Sequence, residues 1–140
     1  MPSRPITAPE ATSAPLSEAA IAQVLGGLRF DAQGLVAAVA QQHDTGEVLM
    51  LAWMNADSVR KTLEERRVTY WSRSRQAFWT KGATSGHTQR LVEMRVDCDR
   101  DCLLLLVDQT GPACHTNRRS CFYTAVRDGA EVEIMAPSDA

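Results

Sequence analysis

A chain of 140 residues with 44% hydrophobic and 23% charged side chains fits one globular domain with a real core, and leaves no case for a second domain. Its net charge of -2 gives no general reason to bind nucleic acid, no apolar run reaches membrane-spanning length, and the first residues lack the positive-then-apolar order of a secretory signal. A cytoplasmic protein is expected, in which the four cysteines remain thiols or bind metal and do not form disulfides.

Residues 1–15 carry prolines at positions 2, 5, 9 and 15 among Ser, Thr and Ala, a composition that cannot bury a core. They are read as a flexible N-terminal arm, and residues 16–140 as the domain. Ser17 is an N-cap for a short helix through Leu25, stopped at Gly26-Gly27. Leu35–Gln42 and Glu47–Met54 flank His43-Asp44-Thr45-Gly46 as a hairpin, and His43 is only a turn residue there. Asn55 caps a second helix over Ala56–Arg67, in which Val59 and Leu63 recur at helical spacing against charged neighbours, so one face lies on a sheet.

Strand composition returns at Val68–Arg75 and at Phe78-Trp79-Thr80. Between Arg67 and Val96 stand Arg67, Arg73, Arg75, Lys81, Arg90 and Arg95 against Glu93 alone, which favours an anionic ligand. The loop Gly82-Ala83-Thr84-Ser85-Gly86-His87 has glycines at both ends to turn backbone amides toward an anion, and hydroxyls to add donors. Leu91–Val96 and Leu103–Val107 read as strands, and the chain closes with Phe122–Arg127, a turn at Asp128-Gly129, and Val132–Met135. The expected fold class is α+β: a single compact domain, mainly antiparallel sheet with two short helices.

Between those two central strands lies Asp97-Cys98-Asp99-Arg100-Asp101. If it is extended, Asp97, Asp99 and Asp101 share one face, and Cys98, Arg100 and Cys102 the other. Carboxylates suit hard cations such as magnesium and thiolates suit zinc, so two metal sites are expected. Acids at alternate positions also begin an EF-hand, but Cys102 and a leucine run follow where that loop needs glycine. Cys98 and Cys102 are four apart and Cys114 and Cys121 seven apart, unlike the paired knuckles of structural zinc. Cys102 opens an apolar strand and reads as a small buried hydrophobe, leaving Cys98, Cys114 and Cys121 as ligands and a fourth position open to water.

Trp71-Ser72-Arg73-Ser74-Arg75, Trp79-Thr80-Lys81-Gly82 with Thr84-Ser85-Gly86-His87, Asp97–Asp101, and Pro112-Ala113-Cys114-His115-Thr116 with Ser120-Cys121-Phe122 occur together, and in this order the set resembles the phosphoribosyl-AMP cyclohydrolases of histidine biosynthesis. The resemblance implies a homodimer with zinc on Cys98 of one subunit and Cys114 and Cys121 of the other, and magnesium on Asp97, Asp99 and Asp101. It implies hydrolytic opening of the adenine ring of a phosphoribosylated nucleotide by a metal-activated hydroxide at carbon six. His115, then His87, are the candidates for general acid–base work; Arg73, Arg75, Lys81, Gly82, Thr84, Ser85 and Gly86 are the candidate phosphate and ribose contacts. Ala83 stands where the family often has Glu, and Asn117 where Gly is common. A monofunctional enzyme is expected, with any pyrophosphohydrolase that makes the substrate a separate partner. A zinc nucleobase deaminase is excluded by the lack of His-x-Glu and Pro-Cys-x-x-Cys. The remaining alternative is a non-catalytic structural zinc-binding module.

Overall fold

The computed structural model describes residues 16–138. The expected N-terminal arm lies outside the described residues. The first helix, α1 (Glu18–Gly27), starts where anticipated, with the Ser17 hydroxyl accepting from the Ala20 amide at 3.1 Å. It runs through Gly26 and Gly27, past the expected stop, and is capped by Leu28, whose amide donates to the Leu25 carbonyl. After it come β1 (Val36–Gln42) and β2 (Val48–Met54), the expected hairpin, and then α2 (Ala56–Glu65). The side-chain Oδ1 of Asn55 accepts from the Ser58 amide while Ser58 Oγ accepts from the Asn55 backbone amide, both at 2.8 Å, a reciprocal cap. Arg66 closes α2 in the left-handed region, two residues short of the expected end.

The next stretch breaks where one strand was expected. The pair β3 (Thr69–Ser72) and β4 (Ala77–Thr80) forms a separate hairpin, and Arg73, Ser74 and Arg75 belong to its turn. The strands β5 (Gln89–Val96) and β6 (Cys102–Gln109) follow, then an irregular cysteine loop and a second small hairpin, β7 (Thr124–Arg127) and β8 (Ala130–Glu133).

The central sheet has the order β2-β1-β6-β5. Its β1–β2 and β5–β6 pairs are antiparallel, as expected, but β1 and β6 run parallel, with Ala38 beside Leu103 and Ala40 beside Leu105. Residue periodicity reports which face a side chain takes and not which neighbour a strand chooses, so this join was not legible. Flanked on both edges, the Leu103–Val107 run is the interior of the sheet, with Leu103, Leu105 and Val107 fully buried on the core face. Val36, Ala38, Ala40, Leu103 and Leu105 meet Ile21, Val59, Leu63 and Tyr70 in one core. Cross-strand register puts Val39, Leu51 and Leu104 on the other face, where Leu51 is 48% exposed. No helix among the described residues is long and apolar enough to cross a membrane.

Tyr70 is fully buried, and its hydroxyl donates to Gln89 Oε1 at 2.7 Å. Burial, above all, holds its phenol far above the ordinary value, so it stays a neutral donor. Tyr70→Phe strips Gln89 Oε1 of that donor, and chemical denaturation is expected to register a loss of roughly 1–3 kcal/mol; an unchanged midpoint contradicts this role.

Candidate active site and metal centres

The Asp97–Asp101 stretch is not extended. It is the turn between β5 and β6, with Arg100 in the left-handed region at φ 63°. Asp97 Oδ1 accepts from the backbone amides of Asp101 and Cys102 at 3.0 and 3.2 Å, which curls the segment around its first carboxylate. The outcome for the acids is nevertheless the expected one: ligand oxygens of Asp97, Asp99 and Asp101 lie within 4.8 Å of one another, and all three residues are exposed. The turn is pinned to the end of α1, since Arg100 Nε donates to the Gly27 carbonyl at 2.6 Å and the Arg29 amide to the Arg100 carbonyl at 2.7 Å.

Hydrogen bonding divides the carboxylates. For Asp97, partial loss of solvent in the turn is the largest single influence and pushes the pKa up, but the amides of Asp101 and Cys102 outweigh it and bring the group below its ordinary value. Asp101 is pushed up, first by its hydrogen bond to Asp97, then by burial and by the charges of Asp97 and Asp99. Three close carboxylates with one reluctant to ionise are a donor set suited to a hard divalent cation.

At the far end of β6 the chain enters the cysteine loop. Cys114 is buried, and its amide donates to the Arg118 carbonyl at 3.1 Å to close a tight turn with Asn117 in the left-handed region. Cys121 is tied to β2 by its amide, which donates to the Leu49 carbonyl at 2.7 Å. The two thiols are hydrogen-bonded to each other, and all four cysteines are free. Burial is the strongest influence on Cys114 and raises its pKa, yet bonds from the Thr116 hydroxyl and amide, the Cys121 thiol and the Arg118 charge together leave it below the usual cysteine value. Cys121 moves the other way, to about 11, through burial first and then the charge and hydrogen bond of Cys114. Cys114 is thus the more acidic thiol of the pair.

Lys81 joins this pair. It is buried, its ammonium donates to the Ala113 carbonyl at 2.5 Å and stands 5.3 Å from the Trp79 ring, and burial lowers its pKa against the opposing pull of Cys121 and Cys114. A cleft of about 790 Å³ opens beside them. Its walls bring together Arg75, Lys81, Gly82, Thr84 and Ser85 with His87, Cys114 and His115, as the sequence suggested. Gly86 lies in the same loop at φ 80°. Arg73 is placed elsewhere: it stacks 4.7 Å above the Trp53 ring in an adjoining cleft. Sequence reasoning did not single out Trp79, Phe78 or Asn117 as lining, nor Thr116 as a donor to Cys114 at 3.0 Å. For Thr116 the i+2 spacing from a cysteine was a usable signal.

Two glycines fit the walls together. A Cβ on Gly82, at φ 82°, would sit 2.5 Å from the Thr88 amide nitrogen, so only glycine lets the hydroxyl-rich loop fold back on its own end. A Cβ on Gly111 would lie 2.7 Å from His87 Cδ2, so Gly111 is the seat of the His87 ring. Gln109 Nε2 donates to the His87 carbonyl at 3.3 Å and to the Thr110 carbonyl at 3.1 Å, joining the two loops from below.

Cys98 does not reach the thiol pair. Among the described residues the three acids are the one group of three or more His, Cys, Asp or Glu ligands within 4.8 Å of one another. Cys98 precedes β6 and Cys114 follows it, and eight strand residues put the ends of β6 about 23 Å apart. Zinc–sulfur bonds are about 2.3 Å long. One chain therefore offers zinc two thiolates at the cleft, not three. Cys102, half-buried beside Asp99 and Asp101, opens β6 at the end away from the cysteine loop.

Residues 50–123 match the family model described as phosphoribosyl-AMP cyclohydrolase. The chain is 74% identical over 112 residues to the phosphoribosyl-AMP cyclohydrolase of Paracoccus denitrificans, covering 80% of this chain and 93% of that protein. It is 76% identical over 110 residues to that of Dinoroseobacter shibae, 79% of this chain and 92% of the relative. That of Jannaschia sp. is 74% identical over 110 residues, with the same coverage. The match spans the cleft walls, the acidic turn and both cysteines of the loop, and the chain belongs to the phosphoribosyl-AMP cyclohydrolase family.

Proposed function

We propose that the protein hydrolyses the adenine ring of 1-(5-phosphoribosyl)-AMP in histidine biosynthesis, in a cleft whose metal site is completed between two copies of the chain. The observation that carries this reading is the Cys114–Cys121 thiol pair at the wall of a basic cleft, with its third expected partner, Cys98, at the opposite end of β6. The cleft is a feature that a purely structural zinc module has no need of. A cytoplasmic setting, in which thiols stay reduced, suits four free cysteines.

Zinc is the metal of choice for a thiolate set, and Cys114 and Cys121 of one subunit with Cys98 of the other would hold it. Bound there, it supplies Lewis acidity that lowers the pKa of a water toward ~7. Asp97, Asp99 and Asp101 suit magnesium, whose charge relieves the repulsion that raises Asp101. The half-exposed apolar face at Val39, Leu51 and Leu104 is compatible with a homodimer.

The protein's own groups account for recognition and proton transfer. Lys81, Arg75 and the Gly82–Gly86 loop present positive charge, amides and hydroxyls to a ligand that carries two phosphates. Hydrolysis adds water oxygen to carbon six and breaks its bond to the phosphoribosylated nitrogen, which must leave with a proton. His115 stands beside Cys114 on the cleft wall and is assigned that transfer; His87, seated on Gly111, is the second candidate.

Turnover of phosphoribosyl-AMP tests both the chemistry and the sharing. Cys98→Ser and Cys114→Ser are each expected to lose activity. Mixed in equal amounts and allowed to exchange subunits, they should recover about one quarter of wild-type activity, because half the dimers then carry one intact site of two. Activity in either single variant, or no recovery on mixing while each variant stays folded and dimeric, contradicts the proposal.

A second test concerns the acids. A carboxyl whose pKa is raised on folding contributes stability that is present below its ordinary value and lost as pH rises through the raised one. In chelator-treated buffer near neutrality, Asp101→Asn should therefore melt above wild type, with the gap closing as pH falls through the carboxylate range. Magnesium should raise the wild-type midpoint and leave that of Asp101→Asn unmoved. An equal response of both proteins to magnesium rules out the assignment.

A further inference from the structure

We propose that the C-terminal segment 124–138 is a clasp on the cysteine loop, and that Arg118 is the positioning residue through which it holds Cys114 in place opposite Cys121. The inference rests on the zinc reading above. It concerns a part of the chain that lies beyond the residues matched by the family model, which end at 123.

The β7–β8 hairpin has two strands of four residues that pair with each other and join neither of the other sheets. Every residue of β8 is exposed, and a lone two-stranded hairpin has little stability of its own. The segment is fastened instead at the cysteine loop. Arg118 Nη2 meets Glu133 Oε2 at 3.0 Å, its Nε donates to the Met135 carbonyl at 2.9 Å, and its guanidinium lies 4.0 Å from the Tyr123 ring centroid. The Ser138 amide and hydroxyl both donate to the Asn117 carbonyl, at 2.7 and 2.9 Å. The Ser120 amide faces Met135 Sδ at 3.4 Å.

The two thiols are thereby held by different parts of the fold. Cys121 hangs from β2 through its own amide and through Ser120 Oγ, which donates to the Val48 carbonyl at 2.8 Å. Cys114 sits at the head of a turn whose other end, Arg118, is gripped by the tail. The Arg118 side chain is only 12% exposed, so its charge needs the partners it has, and its planar guanidinium fork fixes the turn in two directions at once. Without the grip the turn bearing Cys114 can move against β2, and two thiolates lose their common separation. Groups that orient ligands in this way typically govern metal affinity by 10–100-fold.

The test is the rate at which zinc-loaded protein yields its metal to a chromogenic chelator, with circular dichroism and KM measured alongside. Arg118→Ala should release zinc about 10-fold faster or more. Arg118→Lys, which keeps the charge but not the fork, should fall between it and wild type, and Glu133→Gln should show a smaller acceleration with an unchanged KM. Should Arg118→Ala fail to fold, Glu133→Gln and removal of residues 136–140 carry the same test. Release at the wild-type rate from folded variants would overturn the clasp and leave the zinc reading intact, whereas a wild type that takes up no zinc would overturn both.

Discussion

The length of one strand constrains everything else in this molecule. β6 carries an acidic turn at its start and delivers the chain to the cysteine loop at its end, and because a strand cannot be shortened, these two groups of side chains stand at opposite ends of an element about 23 Å long. Its position between β1 and β5 makes it rigid: both edges are hydrogen-bonded, and Leu103, Leu105 and Val107 are fully buried. A chain built this way keeps its cluster of carboxylates apart from its pair of thiols. Under the proposed assembly the same rigidity makes each copy a donor of Cys98 to its partner.

Around the cysteine loop, shape and charge are set by small features acting together. Gly82 permits one wall to fold back on itself, Gly111 seats the His87 ring, and Gln109 joins the two loops. Behind that wall the buried Lys81 lies close to two thiols whose acidities are pulled in opposite directions. Two thiols in contact, with Cys114 shifted toward the thiolate and Cys121 away from it, make a donor pair suited to a thiophilic cation.

Much of this could be read from the residues. Ser17 and Asn55 announced both helices because capping chemistry is local, and the β1–β2 hairpin followed from Asp and Gly in its turn. The acids were expected to cluster on one face of an extended strand. They cluster because Asp97 accepts two amides and curls the segment into a turn, so the grouping held for a different physical reason. The parallel β1–β6 join, the stacking of Arg73 on Trp53 and the grip of the C-terminal tail on Arg118 depend on contacts between distant residues, to which spacing and composition are blind. Aromatic composition does not separate core from cleft: Tyr70 fills the core, but Phe78 and Trp79 on the partner strand are 48% and 40% exposed at the cleft.

The central claim is that the thiols gathered at the cleft are one short of a zinc site and that a second copy supplies the missing one. Zinc K-edge X-ray absorption on the loaded protein tests it most directly, because it counts sulfur neighbours without reference to activity. The account predicts three sulfurs at about 2.3 Å and one lighter atom in the wild type, falling to two sulfurs in Cys98→Ser. Four sulfurs in the wild type, or a count that Cys98→Ser leaves unchanged, would contradict it.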